Sequence, residues 1–185
     1  MIKDLLHETE DKMKKTLEAL DADLRTVRTG RASPALVERV MVDYYGVPTP
    51  LEQLATISAP EPQLLTIRPY DPASLKDIER AILASELGLT PNNDGKLIRL
   101  AIPRLTQERR VELGKIVRER VEEAHVSVRN LRRDAMNDIR DFEKEKLVTE
   151  DEAERGREDL EKLTKRYIEK VDESGARKEK EIAEV

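Results

Sequence analysis

No cysteine occurs among the 185 residues of this chain, tryptophan is missing as well, and phenylalanine appears once. Without cysteine there is no disulfide framework, no thiolate nucleophile and no sulfur ligand for a metal. Aromatics make up 3% of the residues and charged residues 39%, a profile suited to long, solvent-laced helices rather than a wide buried sheet. No apolar run approaches the roughly 20 residues that a membrane span needs. The first residues, Met1-Ile2-Lys3-Asp4-Leu5-Leu6, carry an acid and a helical pattern, unlike a signal or transit peptide. The expectation is a cytoplasmic protein with no membrane partner.

Catalytic signals are equally scarce. His7 and His125 are the only histidines and fall on separate predicted helices without a partner pattern, so neither a metal site nor a proton relay is expected. Ser33, Ser58, Ser74 and Ser85 lack the strained-elbow context of a nucleophile. Arg28-Thr29-Gly30-Arg31 holds one glycine, too few for a phosphate cradle. Asn92-Asn93-Asp94-Gly95 lacks the closing acid of a calcium loop and reads as a hairpin turn. No catalytic residues, no metal and no cofactor are expected, and the chain reads as a non-enzyme.

All nine prolines lie between Pro34 and Pro103, and they divide the chain. Before them, Ile2, Leu6, Thr9, Met13, Leu17, Leu20, Leu24 and Val27 recur at steps of four and three, the seam of a long helix for which Gly30 is the expected stop. After them, Leu113, Val117, Val121, Ala124, Val128, Leu131, Ala135, Ile139 and Phe142 trace one stripe of a second helix, with Thr106 as its N-cap. Thr149-Glu150-Asp151-Glu152 has the spacing of a capping box. It opens a third helix with Ala153, Gly156, Leu160, Leu163, Tyr167 and Val171 as its seam, weakened by Gly175. Within the proline-rich segment, strands are expected at Val40–Tyr45, Gln53–Ser58, Leu64–Arg68, near Leu89 and over Lys96–Ile102. A helix opened by Asp71-Pro72 should bury Leu75, Ile78, Ile82 and Leu83.

Three amphipathic helices can each bury the others' stripe. The expected fold is therefore α+β: an elongated three-helix bundle (1–29 and 106–185) with a small α/β domain (32–103), sandwich-like in a β/α/β sense, inserted between helices 1 and 2. Hinges are expected near 30–31 and 104–105.

The formal net charge is −5, yet residues 104–133 carry nine basic groups against five acidic. Arg118, Arg129, Arg132, Arg133 and Arg140 fall within about a quadrant of the second helix, beside its apolar stripe at 100° per residue. One reading is a solvated face paired to Glu119, Glu122 and Glu123. The other is a strip offered to phosphate, favoured because the groups are arginine and because Val128–Arg133 contains no acid. Spacing alone does not name the partner.

Longer motifs do. Arg28-Thr29-Gly30-Arg31-Ala32-Ser33-Pro34, Tyr44-Tyr45-Gly46-Val47-Pro48-Thr49-Pro50-Leu51 and Gln53-Leu54-Ala55 resemble the ribosome recycling factor family. So do Leu87-Gly88-Leu89, Leu105-Thr106-Gln107-Glu108-Arg109-Arg110 and Val128-Arg129-Asn130-Leu131-Arg132-Arg133. The resemblance runs in order over essentially the whole chain. It implies an L-shaped molecule, a three-helix bundle with a flexibly attached domain. It also implies a monomeric translation factor that binds the post-termination ribosome against large-subunit ribosomal RNA at the A and P sites. With elongation factor G and GTP, such a factor splits the ribosome into subunits so that messenger and deacylated transfer RNA leave; the GTP is hydrolysed by the elongation factor.

Carried over by motif, Arg28, Arg31, Arg110, Arg129, Arg132 and Arg133 are implied as ribosomal RNA contacts. Gly30, Arg31, Arg104, Leu105 and Thr106 are implied as the hinge. Glu86 and Thr90 depart from the Asp and Asn usual around Leu-Gly-Leu, and Gly114 and Gly175 stand where better helix formers are usual. Two rival classes remain: a coiled-coil scaffold or adaptor, which would dimerise through the same seams, and a hydrolase housed in the small domain, which would need a catalytic set that the composition does not offer.

Overall fold

The computed structural model describes residues 1–184. In chain order the elements are α1 (Ile2–Thr26), β1 (Met41–Tyr44), β2 (Val47–Pro50), β3 (Ala55–Glu61), β4 (Leu64–Pro69), α2 (Leu75–Ala84), β5 (Pro91–Asn93), β6 (Ile98–Ala101), α3 (Gln107–Lys144) and α4 (Glu150–Glu184). They form two compact units. One joins Met1–Arg28 to Gln107–Glu184, and the other is Thr29–Thr106.

The first unit is the three-helix bundle. Thr9, Met13, Leu20 and Leu24 of α1 are buried, as are Leu113, Val117, Ala124, Val128, Ala135 and Ile139 of α3. The whole α4 seam from Ala153 to Val171 is buried too. Met13, Val128, Leu163 and Tyr167 pack as one cluster, and Ala135, Ile139, Ala153 and Leu160 as another. Each large apolar side chain so buried contributes about 1.5–3 kcal/mol. Polar ties cross the seams as well. Ser174 Oγ donates to Asp21 Oδ1 at 2.7 Å, Arg120 pairs with Asp23 at 3.1 Å, and Arg157 pairs with Glu143.

The junction of α3 and α4 is built locally. Lys146 takes the left-handed conformation (φ 58). Leu147 N–H then reaches back to Phe142 O at 2.9 Å and Lys146 N–H to Glu143 O at 3.1 Å, the paired bonds of a Schellman stop. Thr149 and Glu152 form the expected capping box: Thr149 N–H donates to Glu152 Oε2 at 2.8 Å, and Glu152 N–H donates to Thr149 Oγ1 at 3.2 Å.

Two bundle expectations are corrected. The helix α1 stops at Thr26, not at Gly30: Val27 is already extended (φ −75, ψ 112), and its N–H closes onto Leu24 O. Gly30 instead supplies a positive φ of 71 in the segment beyond. Gly175 is no mere weak point, because a Cβ there would stand 2.6 Å from Val121 Cγ2. The missing side chain is what lets α4 approach α3 so closely.

In the second unit every strand pairing is antiparallel. One sheet is the hairpin β1-β2; the other has the order β3-β4-β6-β5. Val42 of β1, Leu65 and Ile67 of β4, Ile98 and Leu100 of β6, and Ile78 and Ile82 of α2 share one buried core. Composition does not predict the strand β2, which carries Pro48 and Pro50. It forms because Tyr45 and Gly46 both take positive φ (50 and 83), the two-residue turn whose twist suits a hairpin, and because an edge tolerates proline.

Leu83 is 60% exposed, not buried. At 100° per residue it lies about a quarter-turn or more from the face set by Leu75, Ile78 and Ile82. The strand expected near Leu89 lies at Pro91–Asn93, so it takes in Asn92 and Asn93 of the expected turn, and residues 94–97 connect it to β6, which begins at Ile98 rather than Lys96. There Asp94 Oδ1 accepts from the N–H groups of Lys96 and Leu97, each at 2.9 Å. The strand expected at Gln53–Ser58 starts at Ala55, since Leu51–Gln53 forms a 3-10 turn.

Candidate nucleic-acid interface

Of the six arginines singled out as RNA contacts, five lie in the bundle unit and Arg31 lies in the small domain. Arg28 is exposed in the extended segment after α1, and Arg31 is exposed as well. Arg129, Arg132 and Arg133 sit within about one turn of α3, beside its buried stripe. Arg110 stands in the first turn of the same helix, 19 positions before Arg129, or about 28 Å along the axis. The four on α3 make a rail along that helix.

Arg110 differs from the others. Its place on the wheel coincides with the stripe of Leu113, Val117 and Val128, and it is half-buried. Its Nε is buried without a hydrogen-bond partner, a costly state for a charged donor. Arg110 also lines a groove of about 430 Å³ with Gln107, Val111, Gly114, Arg118, Glu179 and Ile182. A Cβ on Gly114 would meet the Arg118 guanidinium at 3.3 Å, so that guanidinium lies across the glycine.

Arg118, Arg129, Arg132 and Arg133 are paired, but mostly not as the solvated-face reading expected. Arg129 does meet Glu122, at 3.4 Å. Arg118 and Arg132 reach instead to α4, to Glu179 at 3.0 Å and Glu161 at 3.5 Å. Arg133 has only its neighbour Asp134, at 3.9 Å. Exposed pairs of this kind are worth about 0–1 kcal/mol. A phosphodiester, which accepts a charge-assisted bond from arginine, can therefore displace the carboxylate at small cost. The two partners on α4 escaped the sequence reading because nothing local marks which helix faces which.

Other notable groups do not join this rail. His125 is held between Asp172 (Nε2–Oδ1 2.7 Å) and Glu122 (Nδ1–Oε2 3.4 Å). Among the described residues no group of His, Asp and Glu is arranged to hold a metal ion, and no helix is long and apolar enough to cross a membrane. In the small domain Tyr44 and Tyr45 meet edge to face, with centroids 4.7 Å apart. Both phenols donate to Asp71 Oδ2, at 3.5 and 3.1 Å. That hydrogen bond to the carboxylate, and its charge, push the Tyr45 phenol above its ordinary range.

The residues expected as hinge flank the two chain passages. Gly30 and Arg31 follow α1, and Arg104, Leu105 and Thr106 precede α3. Arg104 Nε donates to Gln63 Oε1 at 3.1 Å.

Fold and surface together define a class: an α+β protein that carries a line of arginines along one long helix of a three-helix bundle. Residues 20–183 match the sequence profile described as ribosome recycling factor. The chain belongs to the ribosome recycling factor family. It is 57% identical to the ribosome-recycling factor of Heliobacterium modesticaldum and 55% identical to that of Roseiflexus castenholzii, in each case over 100% of both chains. Among solved structures it is similar to a solution structure of the ribosome recycling factor, with a TM-score of 0.72 and 42% identity, covering 100% of this chain and 98% of that one. It is also similar to the T. thermophilus ribosome recycling factor described together with the E. coli elongation factor G bound to the E. coli post-termination complex. There the TM-score is 0.62 and the identity 43%, over 98% of each chain.

Proposed function

We propose that this chain is a translation factor that binds the post-termination ribosome and, with elongation factor G and GTP, splits it into subunits, releasing messenger and deacylated transfer RNA. The observation that carries this reading is the full-length match to ribosome recycling factors, one of which is described with elongation factor G on a post-termination complex. The protein performs no catalysis of its own; the elongation factor hydrolyses the GTP. It works in the cytoplasm, where ribosomes are.

Arg28, Arg31, Arg110, Arg129, Arg132 and Arg133 hold ribosomal RNA through its phosphates. Support comes from the exposure of the α3 set, from the weakness of its present ion pairs, and from the unsatisfied Nε of Arg110. The bundle anchors, and the small domain turns about Gly30-Arg31 and Arg104-Leu105-Thr106 when the elongation factor pushes it. The scaffold reading is not favoured, because α1, α3 and α4 bury their apolar seams against one another.

The test is light scattering of post-termination ribosomes mixed with the protein, elongation factor G and GTP. A drop that needs all three components is the expected result. Absence of ribosome binding would overturn the reading.

A further inference from the structure

The inserted domain is rooted on a single turn. Strands β3 and β4 pair up to Glu61 and Leu64, leaving Pro62 and Gln63 as the two-residue connection between them. The carbonyls of these two consecutive residues accept from the two ends of the domain. Ala32 N–H, on the incoming chain, donates to Pro62 O at 2.6 Å; Ile102 N–H, on the returning chain, donates to Gln63 O at 2.8 Å. Ala32 and Ile102 are themselves buried in the domain core. The points where the chain enters and leaves the domain are therefore pinned side by side.

The Gln63 side chain adds a third bond, accepting from Arg104 Nε at 3.1 Å across 41 positions of sequence. With backbone bonds alone the returning chain is held as far as Ile102. With the Gln63 amide it is held as far as Arg104, and only Leu105 and Thr106 separate that anchor from α3 at Gln107. A two-strand connection with both roots on one turn resists splaying and twisting at its base, so motion concentrates in the few residues beyond the anchors.

We infer that Gln63 is a positioning residue for ribosome splitting: by holding Arg104 it keeps the returning passage short, so that a push on the small domain becomes rotation rather than slack. This rests on the recycling function proposed above. Gln63 touches no RNA in this scheme and acts through Arg104.

The experiment compares full-length wild type with the Gln63→Ala, Gln63→Glu and Arg104→Ala variants and with the double variant Gln63→Ala/Arg104→Ala. Ribosome affinity and the splitting rate at saturating elongation factor G and GTP are measured separately, and backbone nitrogen relaxation of the two units is measured without ribosomes. Gln63→Ala should bind as wild type does and split about threefold to tenfold more slowly, the range expected when a coupling element is loosened. A glutamate side chain keeps an acceptor for the guanidinium, so Gln63→Glu should restore the rate, a rescue that loss of fold stability would not show. The double variant should be no slower than Arg104→Ala alone. Relaxation should report faster independent tumbling of the small domain in Gln63→Ala. Unchanged relaxation and an unchanged splitting rate would overturn the inference. A wild-type protein that fails to split ribosomes would overturn the recycling function instead, and relaxation alone would then decide the role of Gln63.

Discussion

Replacing Gly175 with alanine sets two effects of opposite sign against each other. On helix propensity the change is favourable, since glycine costs about 0.8–1.0 kcal/mol relative to alanine in a helix interior, and position 175 lies well inside α4. The bundle opposes it. The new Cβ would stand 2.6 Å from Val121 Cγ2, with Val121 Cβ and Cγ1 at 3.8 and 3.9 Å. Carbon atoms rest at about 3.5–4.0 Å, so one partner must retreat by roughly 1 Å. Val121 cannot swing aside cheaply, because a β-branched residue in a helix has one strongly preferred χ1. Overpacking of this kind costs about 1–3 kcal/mol. Set against the propensity gain, Gly175→Ala should destabilise the bundle by about 0–2 kcal/mol rather than stabilise it by about 1 kcal/mol. Urea unfolding followed by far-UV circular dichroism reads this as a lower midpoint at unchanged slope. The control is Val121→Ala, which removes the opposing methyl groups. In that background Gly175→Ala should reverse sign and stabilise by about 1 kcal/mol. A raised midpoint in both backgrounds would refute the close approach as the reason for the glycine.

If the proposed RNA contacts hold, Arg132→Gln should lower ribosome affinity and reduce the slope of log affinity against log salt by about 0.7–0.9, with helix content unchanged. An unaltered slope would remove Arg132 from the contacts. Burial of Ile139 is complete, so Ile139→Ala should cost about 2–5 kcal/mol in the same urea assay; a loss well below that would mean the cluster repacks around the gap. At the start of α4, the Thr149 N–H and then its hydroxyl hold the Glu152 carboxyl below its ordinary 4.5. A lowered folded value means that the stabilisation is complete above pH 4.5 and is lost as the pH falls through the lower, folded value. The Thr149 amide resonance should therefore move only in acid, and Glu152→Gln should abolish that titration. Persistence of the same step in the variant would assign it to another group.

Much of this protein follows from periods and local chemistry. Eight apolar-seam residues from Ile2 to Val27, nine from Leu113 to Phe142 and six from Ala153 to Val171 recur at helical spacing, and burial follows those stripes because a helix has only one face to hide. The capping box at Thr149 and the turn that Asp94 closes over residues 94–97 involve residues within a few positions of each other, so their geometry is written into adjacent side chains. The confinement of proline to 34–103 marks the segment where long helices stop. The line of arginines beside the α3 stripe was legible for the same reason, as a consequence of spacing on one helix.

Long-range partners were not legible. That Arg132 and Arg118 reach Glu161 and Glu179 depends on which face of α4 turns toward α3, and amphipathic spacing leaves that rotation open. The role of Gly175 appears only when Val121 stands against it; along the chain it is simply a poor helix former. The strand β2 defies its own prolines because Tyr45 and Gly46 fold it back onto β1. Gln63 is the clearest case. Nothing around Pro62-Gln63 hints at Ala32, Ile102 or Arg104, and their meeting is the product of strand pairing in three dimensions. Periodicity is a local property and survives in one dimension, whereas contacts between distant segments exist only after the cores have closed.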